Sequence, residues 1–179
     1  MTDRIILENS AAAFLKRDGF YLLMKRSFAR KMLPNIWSGV VGHIEPHELN
    51  DPMAACLREI FEETGITENH IFKLVLRYII IRRAKNVIRQ NYIYFGETDM
   101  AEVADTDEGT LHWIAEAELL NREYSKTFEA MLKHFINATD EKWRVVVGVA
   151  ENADGVLHMN GRSRRILNDG LIEINRFSS

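Results

Sequence analysis

Three glutamates and an arginine crowd one short run, Arg58-Glu59-Ile60-Phe61-Glu62-Glu63-Thr64-Gly65. As a helix at about 100° per residue, with Arg58 set at zero, the run puts Glu62 at about 40°, Glu59 at about 100° and Glu63 at about 140°. Leu57, Ile60, Phe61 and Thr64 then fall between roughly 200° and 300°. The expectation is an apolar face for the core and a compact polar face bearing three carboxylates and one guanidinium. Like charges at these spacings repel, and more so when partly buried. Convergence on a cleft therefore calls for a counter-charge. A hard divalent cation with oxygen ligands, Mg²⁺ or Mn²⁺ bridging to substrate phosphates, would supply it. The plain alternative is a solvated acidic face with Arg58 paired to Glu62, and the spacing alone does not decide between the two.

The elements that must position these groups are legible around them. Asp51 is a good N-cap, Pro52 suits the first helical position and Gly65 the stop, so a helix is expected from Met53 to Thr64. Ahead of it, Ala11–Leu15 and Phe20–Met24 read as strands of a hairpin turned by Arg17-Asp18-Gly19. Ile36–Val41 reads as a further strand, followed by a loop from Gly42 to Pro52. Phe72–Arg82 and Ile88–Phe95 are strand-like, an acidic loop spans Thr98–Glu108, and Leu111–Ile114 is a strand. Ser125–Ile136 is an amphipathic helix with Phe128, Met131, Leu132 and Phe135 on one side. Lys142–Val149 and Val156–Met159 form a late hairpin around Asn152–Gly155. Hairpins mixed with two main helices make the class α+β.

Arg58 to Ile66 resembles the second half of the Nudix hydrolase signature: Arg-Glu, an aliphatic residue, any residue, Glu-Glu, any residue, Gly, an aliphatic residue. Gly42 and Glu48 match its first half, and Glu45-Pro46 are similar to family residues. Leu49–Leu57 holds nine residues where the family usually has seven, and Val41 and His47 replace common glycines. The resemblance extends over about Ala11–Phe135, including Pro34–Trp37 and Glu108 five residues before Trp113.

The resemblance implies a Nudix-like α/β/α sandwich with a mixed sheet, one domain over residues 1–179, with a C-terminal hairpin and tail from about residue 140. It implies Mg²⁺- or Mn²⁺-dependent cleavage of a diphosphate linkage in a nucleoside diphosphate derivative. The products would be a nucleoside monophosphate and pyrophosphate or another phosphorylated group. The lean is toward members acting on oxidised nucleoside triphosphates such as 8-oxo-dGTP. By position, Glu59, Glu62 and Glu63 would bind metal, with the Gly42 carbonyl and Glu108 completing its shell and Asp105 and Asp107 as fallbacks. Glu59 would be the general base, Glu63 would share in catalysis and Arg58 would orient a glutamate. Lys25 and Arg26 would lie near substrate phosphates, and Trp37 and Tyr124 are candidates to stack on a base.

Two other classes are weighed. An isopentenyl-diphosphate isomerase shares the fold and a tryptophan before a Gly-His pair, but needs a cysteine where this chain has Ser38-Gly39-Val40. A non-catalytic ligand-sensing module commonly loses box glutamates, which are all present here.

Composition bounds the rest. The chain has 179 residues, 46% hydrophobic and 27% charged, with a formal charge of −3. That mix disfavours wholesale disorder and fibres, and no basic excess calls for nucleic acid. The sole cysteine, Cys56, excludes an intrachain disulfide and fits a reducing compartment. Apolar runs are too short to span a bilayer, and Asp3 and Glu8 interrupt any signal-like core. The expectation is a cytoplasmic protein acting on a small-molecule nucleotide, with no membrane or stable nucleic-acid partner and with a homodimer left open.

Overall fold

The computed structural model describes residues 4–29, 33–138, 144–151, 156–159, 164–166 and 172–174, with side chains as far as residue 150. β1 (Ile6–Arg17) and β2 (Phe20–Arg26) form the first hairpin. Asp18 and Gly19 both take positive φ, 49° and 84°, as a two-residue turn matching strand twist requires. β3 (Trp37–Ser38) and β4 (Val40–His43) follow, then α1 (Pro52–Thr64), β5 (Ile71–Ala84), β6 (Val87–Thr98), β7 (Gly109–Ala115) and α2 (Lys126–Asn137). β8 (Val146–Glu151) and β9 (Val156–Met159) are paired antiparallel; the expected turn at Asn152–Gly155 lies outside the described residues. β10 (Arg164–Ile166) and β11 (Ile172–Ile174) make a separate two-stranded sheet.

The main sheet runs β3-β2-β1-β6-β5-β8-β9, with β4 also on β1 and β7 on β2. It is mixed: β1 is parallel to β6 and β5 to β8, and the other pairs are antiparallel. Central β1 is buried on both sides from Ala11 to Leu15, which explains its unbroken apolar run. On one side Ala11, Ala13, Leu15, Leu22 and Met24 pack with Cys56 and Ile60 of α1. On the other, Phe14, Leu23, Tyr78 and Ile93 pack with Met131 and Leu132 of α2. The layers are thus α/β/α. Phe135 of α2 stacks on Phe95 at 3.8 Å between ring centroids. No helix among the described residues is long and apolar enough to cross a membrane.

The strand expected over Ile36–Val41 is two strands. The chain crosses from β2 to β1 at Gly39, where a Cβ would lie 2.3 Å from the Ala13 carbonyl oxygen. Only a bare backbone fits that approach.

Candidate active site

α1 begins and ends as its sequence dictates. Asp51 Oδ1 accepts from the Ala54 N–H at 3.1 Å, and Gly65, at φ 76°, donates its N–H to the Phe61 carbonyl. Its rotation about its own axis differs from the expected one. Phe61 is 55% exposed, whereas the Glu59 side chain is 13% and Glu63 6% exposed. The buried side is centred on Ala55, Cys56 and Ile60, because these small and aliphatic residues meet the alanine-rich β1. Glu59 and Glu63 ride on that side, and Glu62 stays in solvent at 54%.

One guanidinium gathers the carboxylates. Arg58 Nε and Nη2 donate to the two oxygens of Glu48 at 2.8 and 2.9 Å. Nη1 donates to Glu59 Oε1 at 2.8 Å and to Glu62 Oε2 at 2.9 Å, and Nη2 also reaches the His43 carbonyl of β4 at 2.9 Å. Glu48 is buried and closes a single 3-10 turn, Pro46–Glu48, by accepting the Glu45 N–H at 3.0 Å. The two extra residues before Arg58 leave this bidentate pair intact. Hydrogen bonds from Arg58 hold the Glu48 carboxyl down at about 2, and the same bonds push Arg58 above its usual range. Because the folded value lies below the unfolded one, the pair stabilises fully above the ordinary carboxylate range. That contribution drains away as pH falls toward about 2. Glu48→Gln should therefore lower the melting temperature at neutral pH, by a gap that narrows in melts at progressively acid pH. An unchanged gap would contradict this pairing.

Gly42 is the seat of Glu59. A Cβ built on Gly42 would lie 1.7 Å from Glu59 Cδ, so the carboxylate rests directly against β4 backbone. Burial raises the Glu59 carboxyl above the ordinary range, with Arg58 pulling the other way. Among the described residues no three acidic, histidine or cysteine side chains are already grouped to enclose an ion. Arg58 instead bridges Glu59 and Glu62, taking one oxygen of each. The donor set still fits a hard divalent cation: its carboxylates come from one helix, with Glu59 pressed on a glycine that leaves room for it.

Cys56 is 1% exposed, with Sγ 3.9 Å from the Ala12 carbonyl, and burial pushes its thiol up to about 12. A thiol so placed is not a nucleophile. Cys56→Ser should leave kcat within about twofold at a modest stability cost. A folded but inactive Cys56→Ser protein in a steady-state assay would restore a thiol mechanism.

The other expected site residues are scattered. The Glu108 carbonyl accepts the Ser27 N–H at 2.9 Å, docking its loop on the end of β2. Asp105 Oδ1 accepts the Leu111 N–H at 2.8 Å, a loop-closing task, and Asp107 lines a nearby cleft. Alternation along β2 puts Arg26 on the side of Met24, toward α1. It puts Lys25 on the side of Leu23, toward α2, where Trp37 also packs. The structure therefore separates Lys25 and Trp37 from the glutamates. Tyr124 is 7% exposed in the α2-side core, and its hydroxyl donates to the Leu119 carbonyl at 2.8 Å. A stacking platform needs an open ring face, and Tyr124 presents none. Sequence reasoning missed Arg122 beside Trp37, a neighbour brought from a distant loop with no local signal.

The fold is similar to a mutator MutT protein from Bacillus halodurans, with TM-score 0.68 and 18% identity, covering 86% of this chain and 97% of that one. It is also similar to a MutT protein from Methanosarcina mazei Go1, with TM-score 0.63 and 20% identity over 74% and 94%. An Ap4A hydrolase from C. elegans matches with TM-score 0.58 and 19% identity over 74% and 96%. None of the curated proteins matches the chain. The family pattern described as NUDIX domain matches residues 7–135, so this chain belongs to the Nudix hydrolase family.

Proposed function

We propose that this protein is a Mg²⁺-dependent hydrolase that cleaves the diphosphate linkage of a nucleoside diphosphate derivative, with an oxidised nucleoside triphosphate the favoured substrate. The observation that supports it best is the joint placement of Gly42, Glu59 and Arg58, which fixes one buried carboxylate against the β4 backbone. Glu59, Glu62 and Glu63 would hold the metal, with the Gly42 carbonyl beside them. When bound, a divalent ion neutralises the phosphoryl oxygens and lowers the pKa of a coordinated water. Glu59, its carboxyl raised by burial, is suited to accept a proton from the attacking water. Arg58 fixes the Glu59 rotamer and spends its own charge on three carboxylates rather than on substrate. Glu48 in turn locks Arg58, as outer partners of metal ligands commonly do.

The resemblance of the Arg58–Ile66 signature puts nucleoside triphosphates first among the substrates to assay, and the likeness to an Ap4A hydrolase adds dinucleoside polyphosphates. The test is a screen of purified protein with Mg²⁺ against ordinary and oxidised nucleoside triphosphates, dinucleoside polyphosphates, ADP-ribose and nucleotide sugars. Release of a nucleoside monophosphate from one class supports the reading, and no turnover of any class opposes it.

Glu108 is proposed to join the site from its loop once substrate is present. Glu108→Gln should raise the Mg²⁺ requirement and cut turnover more than about tenfold. Asp105→Asn, tested beside it across a Mg²⁺ titration, should mainly loosen the loop. If Asp105→Asn alone is crippled, the residue is misassigned; if both match the parent, the site closes without this loop.

A further inference from the structure

β1 begins with one edge open. β4 pairs with it only from Ser10 to Ala13, and the Ile44 N–H reaches the Asn9 carbonyl at 3.0 Å. Ahead of Asn9, β6 lies along one edge and, among the described residues, no strand lies along the other. The Ile6 N–H donates to the Asn86 carbonyl at 2.8 Å, on the β6 edge. Backbone groups alternate between the two edges of a strand, so those of Ile5 and Leu7 point to the open edge, as the Asn9 carbonyl does.

Sheets ordinarily guard such an edge with charges, prolines or a bulge. This one presents Ile5, Ile6 and Leu7 at 59%, 47% and 59% exposure. The period of two puts Ile5 and Leu7 on one face of the sheet and Ile6 on the other. A partner laid flat on the sheet would cover one face only, whereas an added strand covers both.

Charge then selects the strand. Arg4 and Glu8 stand two residues to either side of Ile6. Arg4 is exposed, and the Glu8 side chain, 38% exposed, gives Oε2 to Arg89 Nε at 2.7 Å. The best antiparallel partner therefore reads acid, three aliphatics, base, which is this segment reversed.

We propose that two copies of this chain pair through β1, antiparallel and centred on Ile6, into one continuous sheet across a two-fold axis. Ile5 of each copy lies opposite Leu7 of the other, and the two exchange both backbone hydrogen bonds. Ile6 meets Ile6 of the other copy in a non-hydrogen-bonded pair, in keeping with its own N–H being taken by Asn86. Arg4 of each copy lies opposite Glu8 of the other, on the face that carries Ile6. The contact is short, so it belongs with the weak interfaces below about 1,200 Å². The pairing goes beyond the proposed hydrolysis and does not depend on it.

The test is sedimentation velocity of the full chain from about 10 to 500 μM, the range in which a weak dimer forms. The parent should pass from monomer to dimer across it. Arg4→Glu and Glu8→Arg, each alone, set like charges together twice and should weaken dimerisation at least about tenfold. Mixed in equal amounts, the two variants set opposite charges together at both places and should recover pairing close to the parent's. A role for either residue within a single copy predicts no such recovery. Leu7→Lys, exposed and on the other face from Arg89, gives a second reading and should also weaken dimerisation at least about tenfold. Val147→Lys, on an exposed valine of β8, should dimerise like the parent. Circular dichroism reports whether each variant is folded. A parent that stays monomeric, folded single variants that dimerise like it, or a mixture that does not recover overturns the proposal, as does a dimer lost in Val147→Lys.

Discussion

Glu63→Gln should lower turnover by at least about a hundredfold, a loss of about 2.7 kcal/mol of transition-state stabilisation. Glu63 is 6% exposed, on the same flank of α1 as Cys56 and Glu59. Glutamine keeps its volume and hydrogen-bonding shape, so packing is spared while one negative charge leaves the oxygen set. The assay is kcat at saturating Mg²⁺ on the best substrate of the screen, with circular dichroism to confirm the fold. Full activity in a folded Glu63→Gln protein would remove this glutamate from the metal site.

Gly42→Ala should be as damaging through geometry alone. The new methyl carbon would stand 1.7 Å from Glu59 Cδ and 1.9 Å from Oε2, a separation that no pair of unbonded atoms tolerates. Glu59 is the flexible partner, so its carboxylate is displaced and β4 keeps its pairing with Ala11. A shift of about 1 Å at a reacting centre costs about a hundredfold. The expected outcome is a fall in kcat of that size with a small change in melting temperature. Unchanged kcat would mean that the seat of Glu59 on Gly42 has no bearing on turnover.

Local chemistry made much of this architecture readable. Asp51, Pro52 and Gly65 bound α1 because capping is decided within a few residues, and Asp18-Gly19 declared its hairpin for the same reason. The contents of the candidate site were legible because its box occupies one loop and one helix. What escaped the sequence depends on partners far along the chain. The helix pattern did not reveal that α1 would press Ala55 and Cys56, rather than Phe61, onto the alanines of β1. Nor did it show that the close approach of Gly39 to Ala13 would split one strand in two. β5 reads as one strand, yet its register on β6 shifts twice, between Phe72 and Val75 and between Leu76 and Tyr78; the first shift turns Leu74 and Leu76 to the α1 side and the second returns Tyr78 and Ile80 to the α2 side. Lys25 and Arg26 are neighbours in sequence, and the period of two sends them to opposite sides of the sheet.

The proposed hydrolysis requires the carboxylates of α1 to hold a divalent metal. Mn²⁺ binding followed by electron paramagnetic resonance, in the parent and in Glu59→Gln/Glu63→Gln, tests it without reference to any substrate. Binding in the parent that weakens at least about tenfold in the double variant is the predicted result. Equal Mn²⁺ affinity in the two folded proteins would rule out this metal site.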